Sequence, residues 1–303
     1  MDRRLLLIVN PYSGKKKGGK KLSEILQTLQ AGGNQCTVML TDKRMAASEF
    51  ASEFGKDHDV IACIGGDGTF NETVNGMLLA GLTIPLGYIP TGSTNDFAAS
   101  LNLPTKIQKA AKTITTLGTR KLDIGLFGKR NFSYVASFGA FTKTSYATSQ
   151  SFKNVFGHFA YLLAGMKDVW SIRSQHLCFE FNGKKLEDDY IFGAISNSTS
   201  LGGVLTIPSD MVDMNDGLFE ILLVRRPHSL GDLMKISSAL LRKKFDKCDL
   251  ITFESTPSVT VTTAKPIDWS LDGEKETIEG TFDVRCLHDA LNVITGETSA
   301  ADK

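Results

Sequence analysis

Charge of either sign is in no excess in this chain: 34 Lys and Arg stand against 33 Asp and Glu over 303 residues, a formal net charge of +1. That excludes the strongly basic character of a nucleic-acid-binding domain and confines any basic surface to local patches. Cysteine is sparse too. The five cysteines, Cys36, Cys63, Cys178, Cys248 and Cys286, are widely spaced and mostly sit inside apolar patterns. They read as buried thiols of a reducing compartment, with neither a zinc-ligand spacing nor a Cys-x-x-Cys pair among them. Long apolar runs are missing as well. Arg3-Arg4 lead into only five apolar residues, Leu5 to Val9, before Asn10-Pro11, which is a strand and not a signal peptide. The longest uncharged stretch, Thr73 to Asn95, is broken by Pro85, Pro90 and several glycines, so no transmembrane helix is expected. There is no repeat of fixed period and no low-complexity tract, and 298–303 reads as a frayed tail. These absences leave a cytoplasmic protein that touches a membrane only from outside.

The length suits two domains and exceeds one ordinary core. Over the first ~125 residues, strand-like runs alternate with helical periodicity, the pattern of a parallel sheet covered by helices. Leu5 to Val9, Cys36 to Leu40, Val60 to Ile64 and Ile84 to Ile89 are the strands. Helical spacing recurs at Leu22, Ile25, Leu26 and Leu29, at Ala47, Phe50, Ala51 and Phe54, and from Phe70 to Leu79. After Asp123 the texture changes. Short β-branched and aromatic runs dominate (Phe132 to Phe138, His176 to Phe181, Tyr190 to Ser196, Phe219 to Val224, Ser258 to Thr263, Thr281 to Cys286), and Asn182-Gly183 is a hairpin signal. That predicts an antiparallel β domain, interrupted by helices near 156–170 and 230–241. The expected domains are 1–125 and 126–286, with the tail 287–303 returning to the first.

Ligands of open parallel sheets bind beyond the carboxyl ends of the strands, and three glycine-bearing loops fall at such ends. The most informative is Gly65-Gly66-Asp67-Gly68-Thr69, between the Val60 run and a helix. Glycines let the backbone approach an anion, and the opening N–H groups and dipole of the helix favour negative charge. A carboxylate there repels phosphate unless a divalent cation lies between, so Asp67 points to a Mg²⁺-nucleotide; the competing reading is a glycine turn with an aspartate N-cap. The second loop, Asn10-Pro11-Tyr12-Ser13-Gly14, precedes Lys15, Lys16, Lys17, Lys20 and Lys21. Gly14, Gly19 and Lys20 imitate a P-loop, but Lys21 stands where a hydroxyl should ligate the metal. The third loop, 90–96, ends in Asn95-Asp96, a helix N-cap or a Mg²⁺ or adenosine contact. Asn71 and Asn75 share a helical face, and Glu72 is placed to cap. Asp213 to Gly217 imitates a calcium loop, but with Gly217 at the fifth ligand position and Val224 in place of the bidentate glutamate it is not an EF-hand.

Together, Asn10-Pro-x-Ser-Gly14, Gly65-Gly-Asp-Gly-Thr-x-Asn-Glu72, Pro90-x-Gly-Ser-Thr-Asn-Asp96, Leu122-Asp-Ile-Gly125, Asp213-Met-Asn-Asp-Gly-Leu218 and Leu271-Asp-Gly-Glu274 resemble the diacylglycerol kinase catalytic-domain family, the soluble bacterial lipid kinases. The resemblance covers essentially the whole chain. It implies an α/β domain like that of NAD kinases and phosphofructokinases, followed by a mainly antiparallel β domain, with the active site between them. It implies ATP held by Asn10, Pro11, Tyr12, Ser13, Gly14, Thr41, Gly66, Asp67, Gly68, Thr69, Phe70, Asn71, Glu72 and Ser93. Asp67, Asp96 and Asp123 would form the acidic network around the catalytic Mg²⁺, and Glu274 would be the general base toward a lipid hydroxyl. The carbonyls of Asp213 and Leu218 with the Asp216 carboxylate would make a separate structural Mg²⁺ site. Two positions depart from the commonest pattern: Ser93 replaces threonine and keeps a hydroxyl, while Asn215 replaces aspartate and weakens the metal loop.

Phosphoryl transfer needs an in-line hydroxyl, a metal on the phosphates and a positioned base, which these residues supply. By itself Asp272-Gly273 also reads as an ordinary hairpin turn with Glu274 a solvated strand end. The expected partners are a diacylglycerol-like lipid, a membrane surface met peripherally, no nucleic acid, and a second copy in a homodimer. Segment 152–170 offers Phe152, Phe156, Phe159, Tyr161, Leu162, Leu163 and Trp170 as core packing or a lipid path, and Arg242, Lys243 and Lys244 as a charge cap or a headgroup contact. An NAD kinase, which shares the glycine-aspartate turn, and a non-catalytic nucleotide-binding regulator are the rival readings.

Overall fold

A computed structural model describes residues 3–93, 95–116, 118–139, 173–201, 205–208 and 211–296. Thr94, segment 152–170 and the tail 298–303, all singled out from the sequence, lie outside these residues, as do the side chains of Lys15, Lys16 and Lys17. The chain divides into two compact units, Met1–Asp123 with Asp289–Lys303, and Ile124–His288.

The first unit alternates strand and helix: β1 (Arg3–Val9), α1 (Ser13–Lys20), α2 (Leu22–Ala31), β2 (Asn34–Leu40), α3 (Ala46–Phe54), β3 (Val60–Gly65), α4 (Asp67–Leu79), β4 (Leu86–Pro90), α5 (Asp96–Ser100) and α6 (Ile107–Thr116). Its strands lie in the order β2-β1-β3-β4, all parallel, with Leu5 opposite both Cys36 and Val60 and Ile64 opposite Ile89. Strands β1 and β3 are apolar almost throughout because helices cover both faces, and their residues from Leu5 to Val9 and from Val60 to Gly65 are buried. One face packs Leu5, Leu7, Val9, Ile64 and Ile89 against Ile25 and Leu29 of α2 and Ala110, Ala111 and Ile114 of α6. The chain's last strand comes back to this sheet, where Val293 pairs in parallel with Leu86 beside β4.

The second unit is antiparallel. It comprises β5 (Thr119–Phe127, shared with the first unit), β6 (Arg130–Phe132), β7 (Val135–Gly139), β8 (Gln175–Phe181), β9 (Lys184–Ser196), a small ladder of β10 (Ser200–Leu201) with β11 (Leu205–Thr206), β12 (Phe219–Arg225), α7 (Leu230–Arg242), β13 (Ile251–Thr256), β14 (Ser258–Leu271) and β15 (Glu274–Ile294), which ends in the first unit. The strands run β13-β12-β9-β7-β14-β15, and β8 joins both β9 and β14, so the sheet folds back on itself. Inside lie Phe127, Phe132, Phe138, Phe179, Tyr190, Phe219 and Trp269. Trp269 packs 4.7 Å from Phe138 and 5.0 Å from Phe127, centroid to centroid. The Asn182-Gly183 hairpin is observed, with both φ angles positive (50° and 71°) as a type I′ turn requires.

Two elements are much longer than their apolar runs indicated. Strands β14 and β15 continue through polar residues, because one face of each alternates into solvent while hydrogen bonds pair Trp269 with Glu276 and Asp268 with Thr277.

Candidate active site

Thr41, Asn10, Gly66 and Thr91 directly follow β2, β1, β3 and β4, so four loop starts stand along the carboxyl edge of one parallel sheet. Backbone bonds align them: Asn10 N–H donates to the Ile64 carbonyl (2.8 Å), Thr91 N–H to the Gly65 carbonyl (2.7 Å) and Thr41 N–H to the Val9 carbonyl (2.9 Å). Side chains knit the loops further. Asn10 Nδ2 donates to Thr69 Oγ1 (3.1 Å), its Oδ1 accepts from Tyr12 N–H (3.0 Å), and the Ser13 and Thr91 hydroxyls share a 2.6 Å hydrogen bond. Two close approaches need glycine. Gly14 has φ +52°, and a β-carbon there would lie 1.6 Å from the Thr91 carbonyl oxygen; a β-carbon on Gly92 would lie 2.7 Å from the Gly66 Cα.

Gly66, in extended conformation, is the N-cap of α4, and Asp67 is its first helical residue. This corrects the aspartate N-cap reading: the carboxylate is thereby left to accept from Phe97 N–H (3.3 Å), which links the Gly65–Thr69 turn to the helix that follows the 90–96 loop. Beneath the loops sits an aromatic pedestal, with Phe70 stacked on Phe97 (4.0 Å) and tilted at 46° against Tyr88 (4.8 Å). The Tyr88 hydroxyl donates toward the Gly65 carbonyl (3.4 Å) and Asn95 Oδ1 (3.5 Å). Burial, followed by the charges of Asp67, Cys63 and Asp96, pushes the Tyr88 phenol far above its ordinary range. Asp67 opens α4 and Asp96 opens α5, and the charges of both act on the same buried phenol; carboxylate oxygens at such loop ends are donors of the hard kind that Mg²⁺ takes.

Several expected residues take other places. The Phe70 side chain is buried in the pedestal, so its ring does not face a ligand. Glu72 is inside α4 and caps a different helix: its two oxygens accept from Met45 N–H (3.0 Å) and Ala47 N–H (3.3 Å) at the start of α3. Asn95 has φ 55° and makes no side-chain cap on α5; its amide instead closes the third loop on the Gly92 N–H (2.8 Å) and carbonyl (3.1 Å). Asn71 accepts from Asn75 Nδ2 (2.9 Å), one helical turn on. Tyr12, Gly68 and Ser93 are exposed, and Pro11 is partly so. Asp123 is buried and its Oδ1 accepts from Asp289 N–H (2.8 Å), fastening the returning strand. Thr91, Tyr88 and Phe97 were not singled out from the sequence. A tyrosine among the apolar residues of β4 and a hydroxyl just after Pro90 were the available signals.

In the second unit Glu274 opens β15 opposite Leu271, after a type I′ turn with Asp272 at φ 48° and Gly273 at φ 88°. The turn is more than a connector. Asp272 is 5% exposed, and its carboxylate accepts the backbone N–H groups of Ser133, Tyr134 (3.0 Å) and Val135 (3.1 Å), so the tip bearing Glu274 is bolted to β7. Glu274 Oε2 lies 3.0 Å from the Arg130 guanidinium, which also holds Glu276, and its side chain keeps 30% of its surface exposed. This is neither a solvated strand end nor a buried charge. A carboxylate so restrained yet reachable can accept a proton from an incoming group.

The loop 213–218 forms two turns in which Asp213 Oδ1 accepts from Asn215 N–H (3.1 Å) and Asp216 Oδ1 from Leu218 N–H (2.9 Å). The Leu218 carbonyl is approached by Cys286 Sγ at 3.8 Å. Nearby, Asn215 Oδ1 and Glu220 Oε2 are buried without a hydrogen-bond partner among the described residues. Burial first, and then the Asp216 charge, push the Glu220 carboxyl up to about 8. Buried, unsatisfied oxygens beside two aspartates fit a hard divalent cation here too.

Both units also match family models. Residues 4–127 match the family described as diacylglycerol kinase catalytic domain, and residues 135–295 match the YegS C-terminal NAD kinase beta sandwich-like domain. The chain is 30% identical over 274 residues to a diacylglycerol kinase of Bacillus subtilis, covering 90% of each chain, and 30% identical over 277 residues to one of Staphylococcus carnosus, covering 90% and 89%. Two solved chains from Bacillus anthracis share its fold. One, at 24% identity, gives a TM-score of 0.81 over 97% of this chain and 95% of its own. The other, a diacylglycerol kinase at 23% identity, gives 0.73 over 97% of both. The chain belongs to the diacylglycerol kinase family. It is therefore a phosphotransferase of a class that draws its phosphoryl group from ATP.

Proposed function

We propose that this protein transfers the γ-phosphoryl group of ATP to the hydroxyl of diacylglycerol or a closely related lipid alcohol, giving phosphatidic acid and ADP. The observation that carries the reading is the interlocking of three glycine-bearing loops at one sheet edge, with Asp67 and Asp96 at the helix starts there. The N–H groups of the 10–14 and 66–69 loops, with the Ser13 and Thr69 hydroxyls, are assigned to the phosphates, and Thr41, Asn71 and Ser93 to the rest of the nucleotide. Asp67, Asp96 and Asp123 would hold Mg²⁺. When bound, Mg²⁺ would offset the negative charge that builds on the phosphates during transfer. Glu274 would take the proton of the lipid hydroxyl as that oxygen attacks the γ-phosphorus, with Arg130 holding the carboxylate in place. Asp213, Asp216 and Leu218 would keep a second Mg²⁺ that serves structure.

No helix among the described residues is long and apolar enough to cross a membrane. Incubation with labelled ATP, Mg²⁺ and total membrane lipid is expected to give labelled phosphatidic acid. Label on NAD offered in parallel, or on no acceptor at all, would overturn the assignment in favour of an NAD kinase or a nucleotide-binding regulator.

A further inference from the structure

Helix α7 buries Leu233, Ile236, Ala239 and Leu240, yet it leaves Leu230, Met234 and Leu241 in the open at 68%, 72% and 42% exposure. At about 100° per residue these three fall within roughly 40° of one another, a stripe about 16 Å long. The helix is well anchored beneath them. A capping box ties its start, with Ser229 Oγ accepting from Asp232 N–H (3.0 Å) and Asp232 accepting from the N–H groups of Ser229 and His228 (3.0 Å each). The stripe is therefore a held surface and not a frayed end. At its far end Arg242, Lys243 and Lys244 are exposed, with no carboxylate paired to them among the described residues. Asp246, two residues on, is paired instead with Lys247 at 3.2 Å.

We infer that the exposed face of α7 is a docking surface for an anionic lipid bilayer, with Leu230, Met234 and Leu241 entering the interface and Arg242, Lys243 and Lys244 meeting anionic headgroups. This deepens the lipid-acceptor reading by naming where the protein meets the bilayer. Two arguments favour a bilayer over a second copy of the chain. Three side chains from one helix supply far less than the roughly 800 Å² per partner that a stable protein interface buries. A row of apolar residues ending in exposed cations also complements a surface that is apolar within and negative outside.

The test is co-sedimentation with vesicles that contain no lipid substrate, so its outcome is independent of catalysis. Phosphatidylcholine vesicles are compared with phosphatidylcholine–phosphatidylglycerol vesicles, and thermal melts confirm folding. The protein is expected to bind the anionic vesicles. Binding should weaken about tenfold or more when Leu230, Met234 and Leu241 are all changed to Ser, and by a similar factor when Arg242, Lys243 and Lys244 are changed to Gln. Met234→Ser alone should give a smaller loss in the same direction. Leu79→Ser, at an apolar residue of the first unit that is 78% exposed, should change nothing. Unchanged binding in both triple variants, or an equal loss in Leu79→Ser, would overturn the inference. So would a dimer that the stripe variant breaks while vesicle binding persists, because the face would then belong to a second copy.

Discussion

The two units hold their chemistry-bearing residues in opposite ways. In the first, backbone meets backbone: Gly14 against Thr91, Gly66 against Gly92, with short hydroxyl and amide bonds closing the gaps. Its main core cluster is aliphatic, and three aromatic rings gather under the loops, at Phe70, Tyr88 and Phe97. In the second, charge does the positioning. A buried aspartate collects three N–H groups and an arginine grips the half-buried glutamate two residues on, over a core crowded with aromatic rings. The lesson is one of tolerance. Close backbone contact permits no β-carbon, so it leaves a glycine signature; a carboxylate bolt leaves a single aspartate that looks like any other turn residue.

The largest expected effect lies on the second unit's side of the comparison. Glu274→Gln should lower turnover roughly 10²–10⁴-fold, the range of a positioned general base, while ATP affinity measured by calorimetry stays at the wild-type value; full turnover would remove Glu274 from the chemistry. Next is its support. Asp272→Ala leaves three buried N–H groups without their acceptor at about 1–3 kcal/mol each, so a stability loss of about 3 kcal/mol or more is expected in chemical denaturation. Melting indistinguishable from wild type would show that the turn does not depend on the carboxylate.

On the first unit's side, Gly14→Ala forces a β-carbon onto the Thr91 carbonyl and places alanine in a left-handed conformation that costs roughly 1–2 kcal/mol by itself. Nucleotide affinity should fall tenfold or more while vesicle binding through α7 is kept. Retained ATP affinity would mean that the loops need not interlock.

The smallest effect concerns surface charge in the second unit. Hydrogen bonds to Asp189 and then Glu187 raise the His176 pKa above its ordinary 6.5. Because the folded value lies above the unfolded one, the associated stabilisation is fully present below pH 6.5 and is lost as pH rises through the folded pKa. For so exposed a group the effect on stability is slight, and NMR titration is the measurement. Asp189→Asn should move the midpoint back toward 6.5.

Much of the first unit was legible because its signals are local. Apolar runs bounded by Asn10-Pro11, Gly65-Gly66 and Pro90 mark strands whose ends must turn, and Leu22 to Leu29 repeat at helical spacing. The second unit was legible in kind but not in extent. Strands β14 and β15 run through Glu276, Thr277 and Asp268, which only hydrogen bonding to a neighbour makes into strand. The destination of side chains was hardest to foresee. Glu72 sits in a motif beside the nucleotide loop, yet it caps α3, which is 20-odd residues earlier in sequence and adjacent only after folding. Asn95 turns back to Gly92 because its backbone is left-handed.

By itself the sequence determined the family, the alternation of strand and helix in the first unit, the antiparallel character of the second, and the loops in which acids stand among glycines, since each follows from spacing along one stretch of chain. Tertiary structure alone decided that Asp272 is a bolt, that Phe70 is a pedestal, that Asp123 fastens the returning strand, and that Leu230, Met234 and Leu241 stay uncovered. Those outcomes depend on which distant backbone groups arrive beside a side chain, and no local pattern of residues encodes the arrival.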